Sequence, residues 1–261
     1  MKVAFIAPTY LLHDQGELWG TYHLVLAQVC LSDPAYLDFY RRRSVSGDTI
    51  ILDNGAYELS EGISADQLLK VAHDLLPSVV VIPDVRFSRR ATFQRAQHTI
   101  PTLRNPKWKL MAVPQAPLDD FDEYVRSVSE LSQLDGVDMI GIYPETDQYF
   151  PLRGRPALLE TLERMGLIHP QLGYHMLGMN ERLHEVAELA KFPYVVGIDS
   201  AKPVVYGLYG VQLHPNGGTK VPYMHRPEGY FQLKGNPFPH IVRANVRVIQ
   251  DWADGGANVS D

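Results

Sequence analysis

Short apolar runs, many of them β-branched, recur along the chain, and each ends in a polar or glycine-containing turn. They are Val3–Ala7, Thr49–Leu52, Val79–Ile82, Leu110–Val113, Met139–Ile142, Tyr174–Leu177 and Val195–Ile198. Unbroken apolar runs of this length suit strands covered on both faces, as in a parallel sheet. Between them the apolar period lengthens to that of a helix. Ser64–Leu76 places Leu68, Leu69, Ala72 and Leu76 on one side, and Ser64 with Gln67 has the spacing of a capping box. Phe121–Leu134, Leu158–Met165, Asn180–Ala190 and His240–Trp252 read the same way.

Strand alternating with helix, at roughly one unit per 25–35 residues, predicts a parallel sheet with helices outside it. A doubly wound sheet and a (β/α)8 TIM barrel both fit the alternation. Seven visible units in 261 residues favour the barrel, which typically uses about 250 residues. The eighth strand is expected near Val204–Leu208 or Tyr230–Leu233. Gly210–Pro239 gathers Gly and Pro into an irregular insertion, and Gly255–Asp261 reads as a tail. No repeat or linker divides the chain, so a single domain over 1–261 is expected.

Composition narrows the class. With 45% apolar residues the chain can bury a large core without staples. The single Cys30 rules out an internal disulfide and any multi-cysteine metal site. No run approaches the 18 or so apolar residues of a membrane span, and the start at Met1 lacks signal-peptide anatomy. A soluble protein of the cytoplasm is expected, the host cytoplasm if a phage encodes it, with no membrane partner. A net charge of −6 argues against a surface coated in positive charge, although a local basic groove is compatible with it.

In barrels of this kind reactive groups collect at the C-terminal ends of strands. Here those ends read Leu52-Asp53-Asn54-Gly55-Ala56-Tyr57, Ile82-Pro83-Asp84, Val113-Pro114-Gln115, Gly141-Ile142-Tyr143-Pro144-Glu145, His175-Met176-Leu177-Gly178-Met179 and Gly197-Ile198-Asp199-Ser200. An Asp just after a strand is commonly the N-cap of the next helix. Three of them with Gln115 and two glycine turns point instead to one shared mouth. Carboxylates sharing a dry pocket repel, so their pKa values separate and distinct acid and nucleophile roles become available.

Other motifs carry less. Asn216-Gly217-Gly218-Thr219-Lys220 lacks the full spacing of a phosphate loop. His214, His225 and His240 lack metal-ligand spacing. For Arg41-Arg42-Arg43 and the Arg86, Arg89, Arg90 and Arg95 group a solvated helix face is the default. Arg86, Arg89 and Arg90 follow Asp84, however, and Lys202 follows Asp199, so these four are candidates for phosphate contacts at the mouth.

Taken in order, the strand-end segments resemble the signature of the tRNA-guanine transglycosylase (queuine tRNA-ribosyltransferase) family. Thr21-Tyr22-His23-Leu24 is similar to its NTYHL segment, and Leu52–Glu58 to its TDSGGFQ or TDSGGYQ turn. Asp84 matches the aspartate closing the next strand. Gln115 matches the glutamine of VQGG, with Ala116 and Pro117 in place of the glycines. Gly141–Glu145 is similar to GLAVGE, His175–Met179 to YLMGVG, and Gly197–Ser200 to the segment bearing the nucleophile. The resemblance spans roughly residues 20–210 and implies a (β/α)8 barrel.

It also implies an activity: exchange of a guanine in a nucleic acid for a free 7-deazaguanine base such as preQ0. Asp199 would attack the sugar C1′ to form a covalent intermediate. Asp53 would handle the base proton. Asp84, Gln115 and the Gly141 backbone would read the base edge. Tyr57 with Leu177 or Met176 would sandwich the ring, and no cofactor is expected. The tRNA enzymes carry a zinc site of three cysteines and one histidine that this chain cannot build. A shorter, zinc-free barrel resembles the divergent, often phage-encoded branch that modifies DNA. DNA is therefore the expected polymer, with tRNA as the alternative. A homodimer or a helper protein is compatible with the resemblance. A non-catalytic partner subunit and an unrelated barrel enzyme for a small phosphorylated substrate are the competing readings, the first disfavoured by the presence of all three Asp residues.

Overall fold

The computed structural model describes residues 1–59, 62–179, 182–215 and 224–256. Eight parallel strands form a nearly closed TIM barrel: β1 Lys2–Phe5, β2 Tyr22–Leu26, β3 Thr49–Asp53, β4 Val79–Val81, β5 Lys109–Ala112, β6 Met139–Ile142, β7 Gly173–Met176 and β8 Val195–Ser200. The hydrogen-bonded order runs β1-β8-β7-β6-β5-β4-β3-β2. Pairing of β1 with β8 brings the chain's first strand against its last, with Val3 opposite Ile198 and Ala4 opposite Asp199. β2 lies against β1 at the remaining seam.

The seven expected runs all form strands, and the eighth is not where the sequence placed it. Val204–Leu208 belongs to a helix, Lys202–Leu208, and Tyr230–Gln232 is a 3-10 turn whose Tyr230 hydroxyl donates to the Ile6 carbonyl at 2.7 Å. The strand overlooked is Tyr22–Leu26. All five of its residues are buried, but it passes straight into the helix Ala27–Ser32 with no Gly, Pro or Asp between them. Without a breaker, strand and helix read as one apolar stretch.

The helices follow local rules. Ser64 caps Ala65–Leu75: its Oγ accepts from the Gln67 N–H while Gln67 Oε1 accepts from the Ser64 N–H, both at 3.2 Å, completing the expected box. Phe121–Ser132 buries Tyr124, Val128 and Leu131 behind the Asp120 cap. Helix Gly154–Arg164 covers the expected Leu158–Met165 segment. In the next expected helix Asn180 lies outside the described residues, and Leu183–Leu189 forms a 3-10 turn followed by one helical turn. Pro239–Ala253 packs on Lys202–Leu208 and on β1. Asn216–Lys220 and the last five residues of the tail also lie outside the described residues. Between 224 and 238 the chain holds one 3-10 turn and otherwise irregular backbone, and its His225 and Arg226 reach the barrel mouth.

Candidate active site

A cavity of about 340 Å³ opens at the C-terminal ends of the strands. That volume is at the small end of ligand pockets, about 300–1,000 Å³, so it suits one ring system with a sugar rather than a polymer segment. Asp53, Asp84 and Asp199 line it together with Gln115, Tyr57, Leu177, Arg86 and Lys202. Most of the residues expected at the mouth are thus brought together by the barrel.

Neither Asp84 nor Asp199 serves as the N-cap of the helix that follows its strand. Asp84 caps no helix: that role falls to Ser88, whose side chain accepts from the Ala91 N–H. Asp84 instead accepts from Asn54 Nδ2 at 2.9 Å and Gln115 Nε2 at 2.7 Å, and is almost fully buried. Asp199 caps none either. Its Oδ1 accepts from the Gly178 N–H at 3.0 Å and lies 3.1 Å from His175 Nε2, while Ser200 receives the Lys202 N–H. Asp53 accepts from the Gly55 N–H at 3.0 Å, in a turn where Gly55 has φ +76°. Only glycine adopts that conformation without strain, and a Cβ there would also come within 2.5 Å of Gln28 Oε1.

Supporting residues fix the orientation of each group. Asn54 also donates to the Ile82 carbonyl just past the end of β4, which fixes it against Asp84. Arg95 donates to the Asp84 carbonyl at 3.1 Å from the helix behind it. The Phe87 N–H donates to Gln115 Oε1 at 3.1 Å, and Phe87 reaches that position through a left-handed φ of +60°. Such a backbone is uncommon for a bulky residue and concentrates at functional sites. With Oε1 accepting from Phe87 and Nε2 donating to Asp84, the Gln115 amide has one orientation. Its second N–H has no partner among the described residues.

Electrostatics divides the carboxylates. Burial, then Glu58, Asp84 and Asp199 nearby, push Asp53 well above the ordinary carboxylate range, against the opposing Gly55 N–H. Burial also raises Asp84, but donation from Asn54 and Gln115 and the charge of Arg95 work the other way. Oδ2 of Asp199 has no hydrogen-bond partner among the described residues.

The remaining expected residues fall in different places. Leu177 lines the cavity, whereas Met176 does not: side chains alternate along β7, His175 and Leu177 face the barrel interior, and Met176 is buried on the other side. Gly141 sits below the cavity, where a Cβ would press to 3.0 Å on Leu177. Arg86 pairs with Glu145 and lies over the rings of Tyr57 and Phe87, at 5.1 and 4.6 Å from their centroids. Lys202 is buried and donates to the Met224 carbonyl. Arg90 is exposed on the first turn of helix Arg89–Leu103. Arg89 turns away from the mouth: it bridges Glu123 at 2.7 Å and Glu130 at 2.6 Å on the neighbouring helix. That ion-pair network makes it a tie between helices rather than a free phosphate ligand.

Several lining residues carried no assigned role in the sequence. Glu58 and Glu145 stood in the quoted motifs without one, and Asn54 read only as part of a turn. His225 and Arg226 come from the irregular segment, where Arg226 pairs with Glu58 at 2.9 Å across the mouth. A contact between residues 168 positions apart leaves no local signal.

Among the described residues, no cluster of His, Cys, Asp and Glu is placed to hold a metal ion, and no helix is long and apolar enough to cross a membrane. Cys30 is buried and its thiol is pushed up to about 12, chiefly by burial. No protein-family model matches the chain, and no curated protein matches it.

Proposed function

We propose that this barrel is a base-exchange transglycosylase that replaces guanine in DNA with a free 7-deazaguanine. The observation that supports this reading best is the division of labour among three carboxylates around one small cavity. Asp84 offers carboxylate lone pairs and the adjoining Gln115 an N–H. Guanine presents the matching edge, with N–H donors at N1 and N2 and an acceptor at O6. Adenine has neither the N2 amine nor the N1 hydrogen. A 7-deazaguanine keeps that edge and differs on the far side of the ring, so one site can read both the leaving and the incoming base.

The chemistry then follows in two displacements. Asp199 Oδ2 attacks the sugar C1′ as the C1′–N9 bond breaks, and the bonding electrons leave with guanine. Asp53, whose hold on a proton is strengthened by burial and the neighbouring acids, supplies the proton that guanine needs to depart as a neutral base. In the second step the Asp53 carboxylate removes the N9 proton of the incoming base. N9 attacks C1′, and Asp199 is released. One hard substitution becomes two easier ones, with one group switching from acid to base. The target nucleotide must first leave its stack, at a cost of a few kcal/mol that is least for unpaired bases.

Incubation of the wild type with guanine-containing DNA or tRNA and a labelled 7-deazaguanine tests the proposal. Label should enter DNA, and Asp199→Asn should abolish the incorporation. Label in tRNA alone would replace the polymer and keep the chemistry. Label in neither would refute the exchange.

A further inference from the structure

Behind Asp199 lies a buried hydrogen-bonded line that the two displacements do not use. Tyr22 Oη is 2.8 Å from His175 Nδ1, and His175 Nε2 is 3.1 Å from Asp199 Oδ1. Tyr22, His175 and Asp199 are each at most 5% exposed. One assignment of protons satisfies the whole line. The carboxylate accepts, so the hydrogen sits on Nε2. Nδ1 then carries the lone pair, and the Tyr22 hydroxyl donates to it.

The barrel makes room for this arrangement. His175 and Gly197 are register partners on β7 and β8, and a Cβ on Gly197 would fall 2.5–2.7 Å from the Tyr22 ring and hydroxyl. Only a glycine there lets the phenol cross from β2 to the imidazole. Lys2 lies over the Tyr22 ring, with Nζ 5.7 Å from its centroid. Three apolar residues would fill the same space without any polar group to satisfy, and buried polar lines cost stability unless every member is paired. This one is fully paired and ends on a carboxylate at the cavity wall.

We infer that Tyr22 and His175 are positioning residues, a neutral relay that fixes Oδ1 of Asp199 and leaves Oδ2 aimed at the sugar. The inference rests on the transglycosylase reading for its consequence, but not for its geometry. His175 acts through Asp199 and touches no substrate. A hydrogen bond to a charged group sets the scale of its effect.

Two measurements separate the inference from the reading beneath it. The first is the single-turnover rate of the exchange step with DNA and a labelled 7-deazaguanine. His175→Leu should lower that rate between about 10- and 150-fold with KM for the base unchanged. His175→Gln, which keeps a donor towards Asp199, should restore most of it, and Tyr22→Phe should cost about 2- to 10-fold. A folded His175→Leu at the wild-type rate, or a His175→Gln as slow as the leucine variant, would overturn the relay. The second needs no substrate: nitrogen NMR of the wild-type imidazole should show His175 neutral with its proton on Nε2. The opposite tautomer or an imidazolium at neutral pH would overturn it as well. Should the wild type exchange no base, the reading fails while the NMR still decides the relay, and it does so equally if His175→Leu does not fold.

Discussion

Two clusters of buried charge meet at Leu177 and are built on opposite rules. Towards the cavity stand Asp53, Asp84 and Asp199, whose direct partners are mostly neutral donors: Gly55, Asn54, Gln115, His175 and Gly178. On the other side Arg155, fully buried, donates to the Leu177 carbonyl at 2.6 Å and lies 3.5 Å from Asp147 and 3.9 Å from Glu185. Arg182 adds a second guanidinium, 3.1 Å from Glu185. The acids behind the wall are neutralised by cations. The carboxylates inside the cavity are oriented by hydrogen bonds with no arginine or lysine among the donors.

The difference separates structure from chemistry. An acid paired with arginine is a poor reagent, since its charge is already met by a cation. An acid held by amide, imidazole and backbone N–H groups is oriented without a cation on it, and Asp199 keeps one oxygen with no hydrogen-bond partner among the described residues. Desolvation is strong in both places: burial, followed by Asp147, pushes Glu185 up to about 7 even beside two arginines. Around Asp53 the nearby charges are acids, and they add to that push.

Removing the cation side should have the largest effect on stability. Arg155→Leu leaves Asp147 and Glu185 to Arg182 alone and frees the Leu177 carbonyl. It should cost about 3–5 kcal/mol in denaturant unfolding, and a loss below about 1 kcal/mol would show that the cluster does not brace the wall.

The cavity side should respond with the opposite sign. Because Asp53 is raised in the folded protein, the native state holds its proton more tightly than the unfolded chain. Its contribution is therefore lost as pH rises above its ordinary value of 3.8. Asp53→Asn should unfold at higher denaturant than wild type at pH 7, with the gap closing towards pH 4, while exchange is lost. A variant less stable than wild type at pH 7 would contradict the raised proton affinity of Asp53.

This contrast also marks what a sequence makes legible. Periodicity exposes strands and so their C-terminal ends, which is why Asp53, Asp84, Gln115 and Asp199 stand out before any coordinates. β2 escapes because no breaker separates it from Ala27–Ser32. Supporting residues escape for another reason: Asn54, Phe87 and His175 acquire their roles only through partners on other strands. Arg226 and Arg155 depend on tertiary pairing entirely. The alternation along β7 could have chosen Leu177 over Met176, since only one parity faces the interior.

The smallest effect should fall on Arg89, which belongs to neither cluster. Its partly exposed pairs with Glu123 and Glu130 are of the weak, salt-screened kind. Arg89→Ala should lower stability slightly and leave the salt dependence of DNA binding unchanged. A flatter salt slope would return Arg89 to the phosphate contacts.

The central claim is that Asp199 is the free nucleophile among oriented acids, and intact-protein mass spectrometry reads it directly. Wild-type protein is mixed with guanine-containing DNA in the absence of an acceptor base and quenched in denaturant. The account expects a covalent protein–DNA species, with the sugar mapped to Asp199 and the species absent from Asp199→Asn. An adduct on another residue, or label exchange that proceeds in Asp199→Asn, would contradict it.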